Sequence, residues 1–187
     1  MRKNFGAKTW LYPMPVLIVC AYDEGGKANC MNAAWGGICE ENQIMICLDD
    51  GHKTTKNVVL SKAFTVGVGT KNTVIECDYV GIISGNKVGD KIKKAGFTVT
   101  KSDFVNAPII NELPFVLECK LVSYDVQTCT LIGEIVNVSI DESVLNEKGK
   151  VDVDKLQPII YDSVNHTYRV VGEVVGKAFS DGKKIKG

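Results

Sequence analysis

Twenty-four valines and sixteen isoleucines, against ten leucines and nine alanines, constrain this 187-residue chain more than any other feature. β-branched side chains are stiff at χ1, which costs them in a helix and suits them to a pleated surface. The chain should therefore be mainly β, with a few short helices. Eighteen glycines and five prolines imply many tight turns and few rigid linkers. No internal repeat, low-complexity stretch or linker divides the sequence, so residues 1–187 read as a single domain.

The order of elements follows from the apolar runs. Residues 16–22 are continuously apolar, as in a strand covered on both faces. The run Asp23-Glu24-Gly25-Gly26-Lys27 is a hairpin turn. Residues 28–35 return as a second strand, which Gly36 and Gly37 should break. Residues 44–48 form a third strand and 64–68 a fourth. Helices are expected over 54–62, with Thr54 as N-cap, and over 73–80 and 87–95. The longest strands are expected at 113–126 and 130–140, joined across Gln127-Thr128-Cys129. Residues 141–155 read as a surface loop. Residues 156–161 and 168–175 close the sheet, and the tail over 183–187 should be frayed. Strands joined by tight turns favour a closed or partly closed β-barrel, because closure removes exposed edges.

Charge and motifs exclude several functions. Lysine plus arginine equals aspartate plus glutamate at 22 each, so no basic excess suits a nucleic acid or an anionic membrane surface. Arg2, Lys3 and Lys8 precede an apolar stretch from Trp10 to Tyr22, but Pro13 and Pro15 interrupt it and no small-x-small cleavage site follows. That stretch reads as a buried strand, and the protein as cytoplasmic. The seven cysteines contain no CxxC pair and lie mostly in Val/Ile runs, which suggests reduced, buried thiols. Two distant histidines give no zinc-hydrolase pattern. Neither a GxSxG elbow nor a P-loop is present, and Gly67-Val68-Gly69 lacks the third glycine of a dinucleotide fingerprint.

Two segments do carry a signal. Residues 29–37 are too polar and too small for an ordinary second strand. Asn29 and Asn32 supply amides, Ala33 and Ala34 leave space, Trp35 is flat, and Gly36 and Gly37 permit close backbone approach. This set suits a planar, heteroatom-rich ring, although a strand packed under a helix also needs small residues. The helix starting near Thr54 is the second segment. Lys53, Thr54, Thr55, Lys56 and Asn57 crowd donors into its first turn. A lysine there opposes the helix dipole, and a bound phosphate would remove the conflict. A solvated, weakly capped helix is the alternative. A ring site and a single phosphate site on adjacent elements describe a mononucleotide such as FMN, and nothing requires the second nucleotide of FAD.

At these residues the chain resembles the flavin reductase-like proteins, in particular the flavoredoxin branch. The resemblance runs through Gly6-Ala7-Lys8, Tyr12-Pro13, Asp23 to Lys27, Asn29, Ala33 to Cys39, Lys53-Thr54 with Asn57, and Ala63 to Val66. It continues through Asp78-Tyr79, Ser84-Gly85, Leu117 to Leu121, Ile132 to Ile135 and Gly176 to Phe179. The resemblance implies an FMN-binding split β-barrel that works as a homodimer, with FMN at the dimer interface. It implies that Asn29, Asn32, Ala33, Trp35 and Gly36 line the ring and ribityl chain. Lys53, Thr54 and Asn57 would hold the phosphate, with Ser84 and Gly85 nearby. The resemblance also implies that Tyr168, with Tyr161 and His166, lies in the C-terminal segment that in such proteins can approach the flavin, where a tyrosine can equally serve packing. The implied activity is an NAD(P)H-dependent flavin reductase with no catalytic side chain and no metal. The alternatives are an FMN electron carrier serving a redox protein and a flavin-free β-barrel binding module.

Overall fold

The structure, a computed structural model, describes residues 1–185. The part of the expected frayed tail at 186–187 lies outside the described residues. The N-terminal half contains β1 (Met14–Pro15), β2 (Leu17–Tyr22), β3 (Ala28–Ala33), β4 (Gly36–Glu40), β5 (Gln43–Cys47), α1 (Lys53–Ser61), β6 (Ala63–Val68) and α2 (Val74–Ile82). The C-terminal half contains α3 (Lys91–Lys94), β7 (Val99–Lys101), β8 (Pro108–Ile110), β9 (Phe115–Asp125), β10 (Thr130–Ile140), α4 (Val153–Leu156), β11 (Ile159–Asp162) and β12 (Thr167–Val170). The chain is mainly β, as its composition requires.

Seven strands form one antiparallel sheet in the order β3-β2-β6-β9-β10-β5-β4. Its two edges, β3 and β4, are consecutive in sequence and separated only by Ala34 and Trp35. A flat seven-stranded sheet is about 29 Å across. Three Cα–Cα steps, from Ala33 to Gly36, reach about 11 Å at most. The sheet must therefore curl until its edges nearly meet, and residues 28–40 serve as one bent stretch that supplies both. Ala33 pairs with Leu17 on one side of this seam, and Gly36 with Ile46 on the other.

Strand β2 is buried on both faces, as its unbroken apolar run predicts. Leu17, Val19 and Ala21 fill the barrel interior with Ile44, Ile46, Phe64, Val66, Cys119 and Leu131. Ile18 and Cys20 point outward into a second core with Cys30, Cys77, Val80, Ile92 and Phe97. Gly133 makes room for the Phe64 ring, because a Cβ there would lie 2.3 Å from Cζ. Four cysteines are buried, Cys47 and Cys129 are half-buried and Cys39 is exposed.

Several expectations are corrected. Within the apolar stretch from Trp10 to Tyr22, only β1 and β2 are strand; Trp10, Leu11 and Tyr12 are exposed. Gly36 and Gly37 do not end a strand but open β4, because a Cβ at Gly36 would lie 2.8 Å from the Met45 carbonyl oxygen. His52, not Thr54, is the N-cap of α1. The helix expected over 87–95 shrinks to α3, since Lys87 and Val88 donate back to the Ser84 carbonyl and close a turn instead. The small β7–β8 pair was not foreseen. The loop over 141–155 includes a 3-10 turn at Glu142–Val144 and the start of α4. The last strand ends at Val170, leaving Val174 and Val175 exposed. No helix among the described residues is long and apolar enough to cross a membrane.

Candidate functional site

The β2–β3 hairpin and the start of α1 build the site together. Asp23 shapes the hairpin turn by accepting the N–H groups of Gly25 and Lys27 on Oδ1. Its other oxygen takes the Lys53 ammonium at 3.0 Å. That ammonium, helped by the Lys27 N–H, holds the Asp23 carboxyl below the usual carboxylate range. One turn residue thus fixes the first side chain of α1, thirty positions later. His52 enters α1 extended and gives no side-chain cap, and no acidic residue stands in the first turn. The first N–H groups of a helix lack intrahelical acceptors and carry its positive dipole end. This end is therefore uncapped and electropositive, with the Lys53 charge already matched by Asp23.

Asn29 lies on β3 opposite Ala21 and is 5% exposed. Its Nδ2 donates to Thr54 Oγ1 at 2.6 Å, joining the hairpin to the helix start. Its Oδ1 faces Gly85, where an added Cβ would lie 2.3 Å away. Only glycine fits so close an approach. Asn86, the next residue, donates from Nδ2 to the Gly51 carbonyl at 2.9 Å and laces this wall to the loop before α1. The result is a cavity of ≈ 210 Å³ with Asn29, Lys53, Thr54, Ser84, Gly85 and Lys91 in its lining.

Five of the expected residues are thus brought together: Asn29, Lys53, Thr54, Ser84 and Gly85. Others lie elsewhere. Asn32 is three positions from Asn29 and so on the opposite face of the strand; its Nδ2 donates to the Cys77 carbonyl on α2 at 3.1 Å. Ala33 is buried in the barrel interior. Asn57 is buried behind the helix start, with Nδ2 3.5 Å from the Ala21 carbonyl. Trp35 and Gly36 lie across the seam in a separate groove of ≈ 600 Å³, shared with Trp10, Leu11, Ile38 and Met45. Tyr168 donates its O–H to Asp78 Oδ1 at 2.7 Å, and burial followed by that carboxylate pushes its phenol well up.

Sequence reasoning missed His52, Met31, Asn86 and Lys91 in or around the cavity. Asn86 follows Ser84-Gly85 directly and carries a local turn signal. Lys91 carries none, because a lysine in Lys-Ile-Lys-Lys reads as solvated. Among the described residues no group of three His, Cys, Asp or Glu side chains could hold a metal.

A curled antiparallel sheet, split along one seam, with the start of a helix against its edge hairpin, defines a split-barrel protein. Residues 9–176 match the model of the flavin reductase like domain, and the chain belongs to that family. It is similar to the flavoredoxin of Desulfovibrio vulgaris (Miyazaki F), at 38% identity over 97% of this chain and 100% of that one, with a TM-score of 0.93. An FMN-binding domain of flavin reductases-like enzyme from Shewanella baltica OS155 shares the fold at TM-score 0.79 and 22% identity, over 87% of this chain and 88% of that one. An uncharacterized protein of Aquifex aeolicus (strain VF5) is 29% identical over 137 residues, 70% of this chain. Those residues span 63% of that relative, less than two thirds of its length.

Proposed function

We propose that the chain is an FMN-binding oxidoreductase that takes electrons from NADH or NADPH and passes them through the bound flavin. The convergence of Asn29, Lys53, Thr54, Ser84 and Gly85 on one cavity at the uncapped start of α1 carries this reading. Family membership and the FMN-binding description of the Shewanella domain support it. The residues fit the cofactor. One uncapped helix start suits one phosphate, and the glycine at position 85 lets the Asn29 carboxamide stand beside it, where any Cβ would collide with that amide.

Lys53 and Thr54 would hold the phosphate, with Asp23 steering the ammonium. Asn29 and Ser84 would offer hydrogen bonds to the ribityl chain and ring. Asn32, Ala33 and Asn57 set the surface behind them, and Tyr168 steadies α2 through Asp78. Trp35 and Gly36 would meet the flavin from across the seam in a cytoplasmic homodimer whose second copy covers the apolar groove. When bound, the flavin supplies the hydride and electron chemistry. The protein binds and orients it, and no side-chain nucleophile is needed.

The 38% likeness to a flavoredoxin favours a second reading, an electron carrier reduced by a protein partner. Anaerobic mixing separates the two. Bleaching of the flavin's visible absorption by NADH or NADPH is expected. Bleaching only by a reduced redox protein would turn the assignment to the carrier. A protein that stays colourless after incubation with FMN would sink both and leave a flavin-free binding module.

A further inference from the structure

Lys91 is the first residue of α3 and is 3% exposed. No carboxylate pairs with it among the described residues. A buried ammonium without a counter-charge is costly, and burial pushes this one below the ordinary lysine range. Its place at the start of α3 does nothing for that helix, because a cation opposes the dipole there. Its partners explain it. Nζ donates to the Val80 carbonyl at 3.0 Å and to the Ile83 carbonyl at 2.9 Å. These oxygens belong to the last turn of α2 and the residue after it, where helix carbonyls lack partners. No basic residue of α2 itself stands in that turn. Ser84 and Gly85 follow immediately, and Lys91 lines the same cavity.

We infer that Lys91 is a positioning residue for the cavity: its ammonium fastens the carbonyl end of α2 and so holds the Ser84–Gly85 wall against Asn29. Asn86 fastens the other side of the wall to Gly51. The wall is pinned at both ends, and its fit around Asn29 depends on both pins. As far as FMN is the ligand, the inference rests on the function proposed above; the fastening itself does not.

Lys91→Met keeps the length and apolar stem and removes the donors. Lys91→Gln keeps one amide donor and serves if the methionine variant does not fold. Two measurements are made on wild type and variants. Backbone amide exchange of ligand-free protein should rise about tenfold or more at residues 83–87 in Lys91→Met, less in Lys91→Gln, and stay within about twofold in the β9–β10 hairpin. The FMN dissociation constant should rise about tenfold or more in Lys91→Met. Unchanged exchange at 83–87, or FMN affinity within about twofold of wild type, would overturn the inference. So would loss of cooperative unfolding in both variants, which would make Lys91 part of the core. If wild type binds no FMN, the proposed function falls while the exchange measurement still decides the role of Lys91.

Discussion

Gly85 and the Asn29 carboxamide compete for the same small volume. Replacing Gly85 with Ala would push that amide off Thr54, since the new Cβ would lie 2.3 Å from Oδ1 and 2.9 Å from Nδ2. FMN affinity should fall about tenfold, or 1.4 kcal/mol, read from quenching of flavin fluorescence, and the thermal midpoint should drop as well, because overpacking a buried site costs about 1–3 kcal/mol. Unaltered affinity would show that the wall has slack. Lys53, Thr54 and Asn29 were legible in the sequence because each is locally out of place: a lysine at a helix start, an amide in a core strand. Asp23 and Lys91 were not. Each conforms to its own surroundings, as a turn aspartate and a surface-like lysine, and acts on a residue brought near only by folding. Asn29 and Asn32 stand on opposite faces of β3, a separation that strand alternation alone foretells.

Among the elements, the strands with apolar runs were read correctly, while β4, β7 and β8 were not foreseen. β7 and β8 have three residues each, too few for a period to register. β4 was hidden because Gly36-Gly37 looks like a break when the carbonyl it packs against is unknown. The segment before β1 is tied to β11–β12 through Asp162, which accepts the Tyr12 phenol, the Asn165 amide and the N–H groups of Val164 and Asn165. The Tyr12 phenol and then the Asn165 amide hold this carboxyl well below the usual range. A depressed folded pKa lends stability above the unfolded value, near ~4, and loses it as pH falls through the folded value. The stability advantage of wild type over Asp162→Asn should therefore shrink between about pH 4 and about pH 2. Thermal midpoints of both proteins across that range check it; a constant gap would contradict it.

At the scale of the molecule, composition dictated the sheet and family resemblance its split form, but neither located the seam. The exposed Trp35, Ile38 and Met45 beside it face an apolar groove next to the open edge of β4. Unpaired edges with apolar flanks are usually covered, which is where a second copy would sit. Ile38→Glu, at a position 66% exposed, should leave the fold intact and weaken self-association about tenfold or more. Sedimentation velocity of both proteins tests this, and an unchanged dimer would place the interface elsewhere. The seam has one more consequence. Ala34 and Trp35 are the whole span between opposite margins of the sheet, so their number is a ruler for the barrel's girth. Length variation among related chains should collect in stretches such as 141–155, where slack costs little, and spare this two-residue clasp.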